Sequence, residues 1–375
     1  MERRNLCFLS AVVALFLVLV GAPPIKAAPA VKQGNWEADW KQTLDAAKKE
    51  EKVHIYNTAS SEVRAALSKA FAQRHGIQVE FITARGAELV EKLSAERRAN
   101  IYLADLYIGG ATTATAAFKP AGFLEPIKPL LVLPEVLDPK VWYGGGIYYT
   151  DKEQQYIICP VLTASNNYLS INTDLVKPGE IKSYKDLLNP KWKGKIIIND
   201  PTISGAGSRW FSVVADQIMG LDYLRNLVKQ EPFLTRNIRL QVEWLARGKY
   251  PIAIGAQPDI QAEFLKHGAP IKTVTPEEGG WLGGGPGLIS YFNRAPHPQA
   301  TRVFVNWFLS EEGQTLYSKM AKAESARLDV PTGHLNKADM RAPGVKYFIS
   351  ESEDFLIKKT EYEKWAKDVF GSLTK

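Results

Sequence analysis

The chain has few long apolar runs. Past Val20 no stretch of its 375 residues is long and hydrophobic enough to cross a bilayer, although 45% of the residues are hydrophobic. The exception is Leu6–Val20 (LCFLSAVVALFLVLV), which follows Glu2, Arg3 and Arg4 and precedes Gly21, Pro23, Pro24 and Ala27-Ala28-Pro29-Ala30. Fifteen residues span about 22 Å as a helix, short of a roughly 30 Å hydrocarbon core. The layout predicts a secretory signal over residues 1–30, cleaved near Ala30 at Ala28-Pro29-Ala30. The product is then free in a periplasm-like compartment.

Cysteine is nearly missing. Cys7 leaves with the signal and lies before the apolar run rather than after it, which argues against a lipid anchor there. Cys159 alone remains, so the mature chain forms no internal disulfide. It sits in the strand-like run Tyr156-Ile157-Ile158-Cys159 and reads as a buried thiol, not a nucleophile. The five histidines are dispersed, with no H-E-x-x-H zinc site. No G-x-S-x-G elbow or Walker A loop is present, and Gly205-Ala206-Gly207 fails as a dinucleotide fingerprint because Trp210 stands at the third glycine. Charge of one sign is not concentrated either. Losing the signal takes the formal charge from +7 to +5, and the bases alternate with acids, as in Lys48-Lys49-Glu50-Glu51-Lys52. No nucleic-acid partner is expected on that basis.

What is present is a soluble α/β pattern. Trp36, Trp40, Leu44 and Ala47 recur at helical spacing over 37–52, Val53–Tyr56 reads as a strand, and Glu62–Arg74 as a helix ended by Gly76. Strands follow at 77–83 and 104–108 around a helix at 87–99. The middle repeats the theme with strands near 156–158, 168–171, 195–198, 252–255 and 271–274, a short capped helix at 183–188, and helices at 209–219 and 258–267. Gln299–Lys319 reads as one amphipathic helical region. Strand–helix alternation of this length indicates βαβ units and mostly parallel sheets flanked by helices. At about 345 residues the mature chain exceeds one core, and two α/β lobes joined by several crossings fit the order.

Ala46–Glu50 before Val53–Tyr56, Phe71–Val79 (FAQRHGIQV), Tyr184–Gly194 (YKDLLNPKWKG) and Phe304–Gly313 (FVNWFLSEEG) resemble the periplasmic solute-binding proteins of ABC importers. The similarity is to the branch containing ferric-ion, thiamine, phosphonate and hexose-phosphate binders. These are packing and turn positions, which speak for the fold more than the ligand. The resemblance implies a two-lobed type II binding fold: residues 31–163 plus 271–322 in lobe I, and 164–269 plus 327–375 in lobe II. Hinges are expected near 162–167 and 267–271. It also implies a monomer that closes on a small molecule and docks on an ABC permease of the inner membrane, with no cofactor.

In an open α/β sheet, ligands lie beyond the carboxyl ends of strands. Four loops meet that description, offering Thr58 and Ser60, Arg85, Gly109, and Ser204-Gly205-Ala206-Gly207-Ser208. Ser60 also suffices as a helix cap, and Arg85 as a solvated charge. The five-residue small polar loop is more than one cap requires, and its helix N-terminus favours an anion. Gln257 is a candidate polar contact, and Trp281 a candidate apolar wall or plain core. The ferric binders carry tandem tyrosines where this chain has Gln257-Pro258, which cannot supply anionic oxygens. Tyr148-Tyr149 is a pair elsewhere, more consistent with a half-buried strand or loop. The expected ligand is a small phosphorylated or carboxylated anion. Ferric iron is the alternative, and a secreted hydrolase a more distant one.

Overall fold

The computed structural model describes residues 36–165 and 169–374. The expected signal at 1–30, Cys7, and the expected hinge residues Asn166 and Asn167 lie outside the described residues. Among the described residues no helix is long and apolar enough to cross a membrane.

The first half folds close to its periodicity. Helix α1 (Trp36–Glu50) leads to β1 (Lys52–Asn57), then α2 (Ser61–His75), β2 (Gln78–Thr83), α3 (Gly86–Arg98) and β3 (Leu106–Gly109). Ser60 caps α2, its Oγ accepting the Val63 amide at 3.4 Å, and Gly76 ends the helix in the left-handed conformation. Then come β4 (Leu124–Glu125), β5 (Ile157–Ile158), β6 (Thr163–Ser165), β7 (Leu169–Asn172), β8 (Ile196–Asn199), α4 (Ala206–Val213), α5 (Leu221–Val228), β9 (Phe233–Thr235), α6 (Ile238–Ala246) and β10 (Ile252–Ile254). The chain ends with α7 (Pro258–Lys266), β11 (Ile271–Val274), β12 (Gly280–Gly283), β13 (Leu288–Phe292), α8 (Pro298–Leu309), α9 (Glu311–Ala321), β14 (Tyr347–Ile349), α10 (Glu353–Leu356) and α11 (Lys359–Phe370).

Two sheets carry the lobes. The first has the order β2-β1-β3-β13-β4, with β5 also on β13; the second has β11-β7-β10-β8-β9. Both are mixed rather than mostly parallel. β2-β1-β3 and β10-β8-β9 are parallel, whereas β13 and β7 pair antiparallel with their neighbours. Those antiparallel strands belong to distant segments, which local spacing cannot reveal. The parallel strands are solidly apolar, as burial on both faces requires: Ile196, Ile197 and Ile198 are wholly buried.

A third sheet, β14-β12-β6, holds the crossings. The chain leaves the first sheet through β6 and returns through β12, which pair antiparallel with Trp281 opposite Ser165. The return therefore comes later than expected. Ile271–Val274 pairs with β7 and stays in the second sheet instead of opening the return to lobe I. The expected single region 299–319 is two helices. Ser310 breaks it and caps the second, accepting the Gly313 amide at 3.2 Å. The tail is not confined to lobe II either. β14 joins the crossing sheet, Glu353 pairs with Lys119 beside the first sheet, and α11 packs on α4 and α5 of the second lobe.

Candidate functional site

Two buried asparagines organise the carboxyl ends of the parallel strands. Asn57 closes β1: its Nδ2 donates to the Thr83 hydroxyl at 3.1 Å and to the Ile82 carbonyl at 3.3 Å, while its Oδ1 accepts the Ala59 amide at 3.0 Å. The loops after β1 and β2 are thus fixed together. Asn199 closes β8 and accepts the Gly207 amide at 2.9 Å, fastening the first turn of α4 to the strand. Only glycine fits at 207, because a Cβ would lie 1.9 Å from the Asn199 carbonyl oxygen.

Beside the crossing strands lies a hollow of about 460 Å³. Gly110 to Thr112 come to it from the end of β3, Thr163 and Ser165 from β6, Trp281 and Gly283 from β12, Lys322 from the end of α9, Arg209 from α4 and Glu351 from the tail. A second hollow of about 370 Å³ shares Thr112, Arg209 and Leu356 and adds Ser204, Gly205, Ser208, Ser212, Lys359 and Tyr362. Another depression of about 330 Å³ lies along the edge strand β11, away from the carboxyl ends of the parallel strands.

Arg209 stands where the two hollows meet. Its Nη2 donates to Glu351 Oε1 at 2.7 Å, and its side chain keeps 35% exposure against 5% for the glutamate side chain. Burial raises the Glu351 carboxyl above its usual range, opposed by Arg209 and by the Gly284 amide. Lys322 is exposed and adopts the left-handed conformation at the end of α9. The arrangement offers a guanidinium, an ammonium and several hydroxyls around an open space, against one buried carboxylate. Such a set can hold an anion by charge-assisted hydrogen bonds.

The structure brings part of the expected set here. Trp281 is 2% exposed and forms a wall of the larger hollow. Ser204, Gly205 and Ser208 line the second, where Ser208 Oγ accepts the Gly205 amide at 3.1 Å. Ala206, Gly207 and Ser208 form the first turn of α4 rather than a loop before it, so the helix begins earlier than expected.

The other expected residues line neither hollow. Thr58 commits its backbone N–H to the Ile108 carbonyl at 3.2 Å. Ser60 is an exposed cap. Arg85 is exposed at the start of α3, its amide donating to Glu88 at 3.3 Å. Gly109 is buried, its Cα facing the Tyr107 ring; the neighbouring Gly110 reaches the hollow. Gln257 is half-buried before α7.

Sequence reasoning missed Arg209, Lys322, Glu351, Thr112, Thr163 and Ser165. Arg209 had a usable signal, since it directly follows the small polar run. Glu351 had none, because it arrives only through the pairing of β14 with β12.

Tyr148 and Tyr149 are half-buried, Tyr149 bridging Ile158. Burial raises both phenols. Among the described residues no group of three or more His, Cys, Asp or Glu side chains is placed to hold a metal. Cys159 is wholly buried and its Sγ donates to the Val161 carbonyl at 3.0 Å.

A family model described as bacterial extracellular solute-binding protein matches residues 66–342. An uncharacterized protein of Haemophilus influenzae is 27% identical over 271 residues, 70% of this chain and 74% of its own length. The open form of the ferric iron-binding protein A of Mannheimia haemolytica superposes with a TM-score of 0.63 at 16% identity, covering 85% of this chain and 98% of that one. The fructose-6-phosphate-bound periplasmic binding protein of Actinobacillus pleuropneumoniae superposes with a TM-score of 0.51 at 22% identity, covering 85% of this chain and 98% of that one. The two structural likenesses carry the fold, the two-lobed type II architecture.

Proposed function

The chain belongs to the bacterial extracellular solute-binding proteins, and on that premise we propose that it captures a small phosphorylated or carboxylated organic anion between its lobes for delivery to an ABC permease. The reading includes export by a signal cleaved near Ala30, a periplasmic location, a monomer, and binding without turnover. One observation carries the choice of ligand. Arg209 and Lys322 face a hollow of about 460 Å³ at the crossing strands, ringed by threonine and serine. Arg209 takes the role that sequence alone gave to Arg85. The ligand acts by favouring the closed arrangement, to the extent that it binds that arrangement more tightly.

The test is a thermal-shift screen of the mature protein against phosphate esters, carboxylates, amines and ferric citrate, with assays for hydrolysis alongside. A ligand at a hundred times its Kd stabilises by about 2.7 kcal/mol, readily visible as a raised Tm. A shift limited to organic anions, lost by about 1.5–3 kcal/mol of binding in Arg209→Met, is the expected result. A shift with ferric citrate alone, or turnover of a phosphate ester, overturns the reading.

A further inference from the structure

Glu351 sits oddly in a cleft read as a receptor for anions. It is 4% exposed, yet it lines the hollow together with Arg209 and Lys322. Burying a carboxylate is costly unless its lone pairs are met. Arg209 Nη2 meets one oxygen at 2.7 Å. A carboxylate has about four acceptor sites, so capacity remains. Gly283 leaves the ion pair uncovered: a Cβ there would lie 3.5 Å from Glu351 Oε1 and 3.9 Å from Arg209 Nη2. The residue also lies past position 342, where the family match ends, and it is delivered by the pairing of β14 with β12.

We propose that Glu351 is a specificity-determining residue of the cleft, selecting anions that carry a hydroxyl or ammonium donor beside the anionic group. The inference rests on the anion reading above. Arg209 and Lys322 take the anionic end, and the free lone pairs of Glu351 accept the neighbouring donor. A ligand with no donor instead meets Glu351 as a like charge and competes with it for Arg209, which penalises it twice. Glu351 thereby acts as an attractive and a repulsive element at once.

The experiment is titration calorimetry of wild type, Glu351→Gln and Glu351→Met with matched probes. These are propionate against lactate, and ethyl phosphate against glycerol 3-phosphate and O-phosphoethanolamine. Wild type is expected to favour the donor-bearing members of at least one series by about tenfold. In Glu351→Met the two kinds of probe move in opposite directions: donor-bearing ligands weaken, and propionate or ethyl phosphate tightens because Arg209 is released. Glu351→Gln, which keeps a neutral acceptor, retains more of the hydroxyl preference than of the ammonium preference. A folding defect weakens every probe together, so the opposite signs identify recognition. Equal loss for all probes in a variant that keeps the wild-type unfolding transition, or a wild type indifferent to the donor, overturns the role of Glu351 and leaves the anion reading standing. Binding of none of the probes overturns both.

Discussion

His75 illustrates how far a single side chain is readable. The run FAQRHGIQV places it in the last turn of α2, where a cation would suit the helix dipole. In the fold its ring lies 4.9 Å from Phe71, and burial, aided by Arg74, lowers its pKa to about 4. The folded chain therefore binds fewer protons than the unfolded one between about pH 6.5 and 4. Its contribution to stability is complete above that window and lost as pH falls through it. His75→Leu is expected to lose less stability than wild type between pH 7 and pH 5 in urea unfolding, and an unchanged pH dependence refutes the assignment. Ser60 was legible as a cap because capping is local chemistry. Arg209 was less so: its neighbours pointed to the site, but its role depends on Glu351, 142 positions away.

At the scale of elements, legibility follows sequence separation. The alternation from α1 to β3 was readable because each helix and strand announces itself within a dozen residues. The antiparallel placement of β13 and β7, the crossing pair β6 and β12, and the tail strand β14 are long-range pairings with no local mark. The same distinction applies to the polar loop after β8. Its composition was visible, while the reason for Gly207 emerges only when Asn199 folds against it. Gly207→Ala must push the first turn of α4 away from β8 and is expected to cost about 1–3 kcal/mol in denaturant unfolding. It should also weaken ligand binding by displacing Ser208 and Arg209. Wild-type stability in that variant would mean that the turn is not held as tightly as the contact requires.

Across the whole molecule, the tail ties the lobes. Glu353 accepts from Lys119 beside the first sheet at 2.6 Å and from the Lys152 amide at 2.9 Å, while α11 packs on α4 and Lys358 pairs with Asp216 at 2.9 Å. Lys119 and Glu353 keep only 15% and 14% exposure, so removing one partner leaves the other poorly hydrated. Lys119→Met is expected to lower stability by about 1–3 kcal/mol, a range reduced from that of fully buried pairs because water still reaches the site. Adding Glu353→Gln should recover part of the loss. If the two losses simply add in urea unfolding, the residues do not act as a pair.

This tie also makes the hollow depend on the tail. Residues 347–370 follow both sheets and both crossing strands in the chain. Without them Glu351 is absent from the hollow and Arg209 lacks its partner. On the reading proposed above, a chain that lacks this tail keeps both sheets and an incomplete anion site.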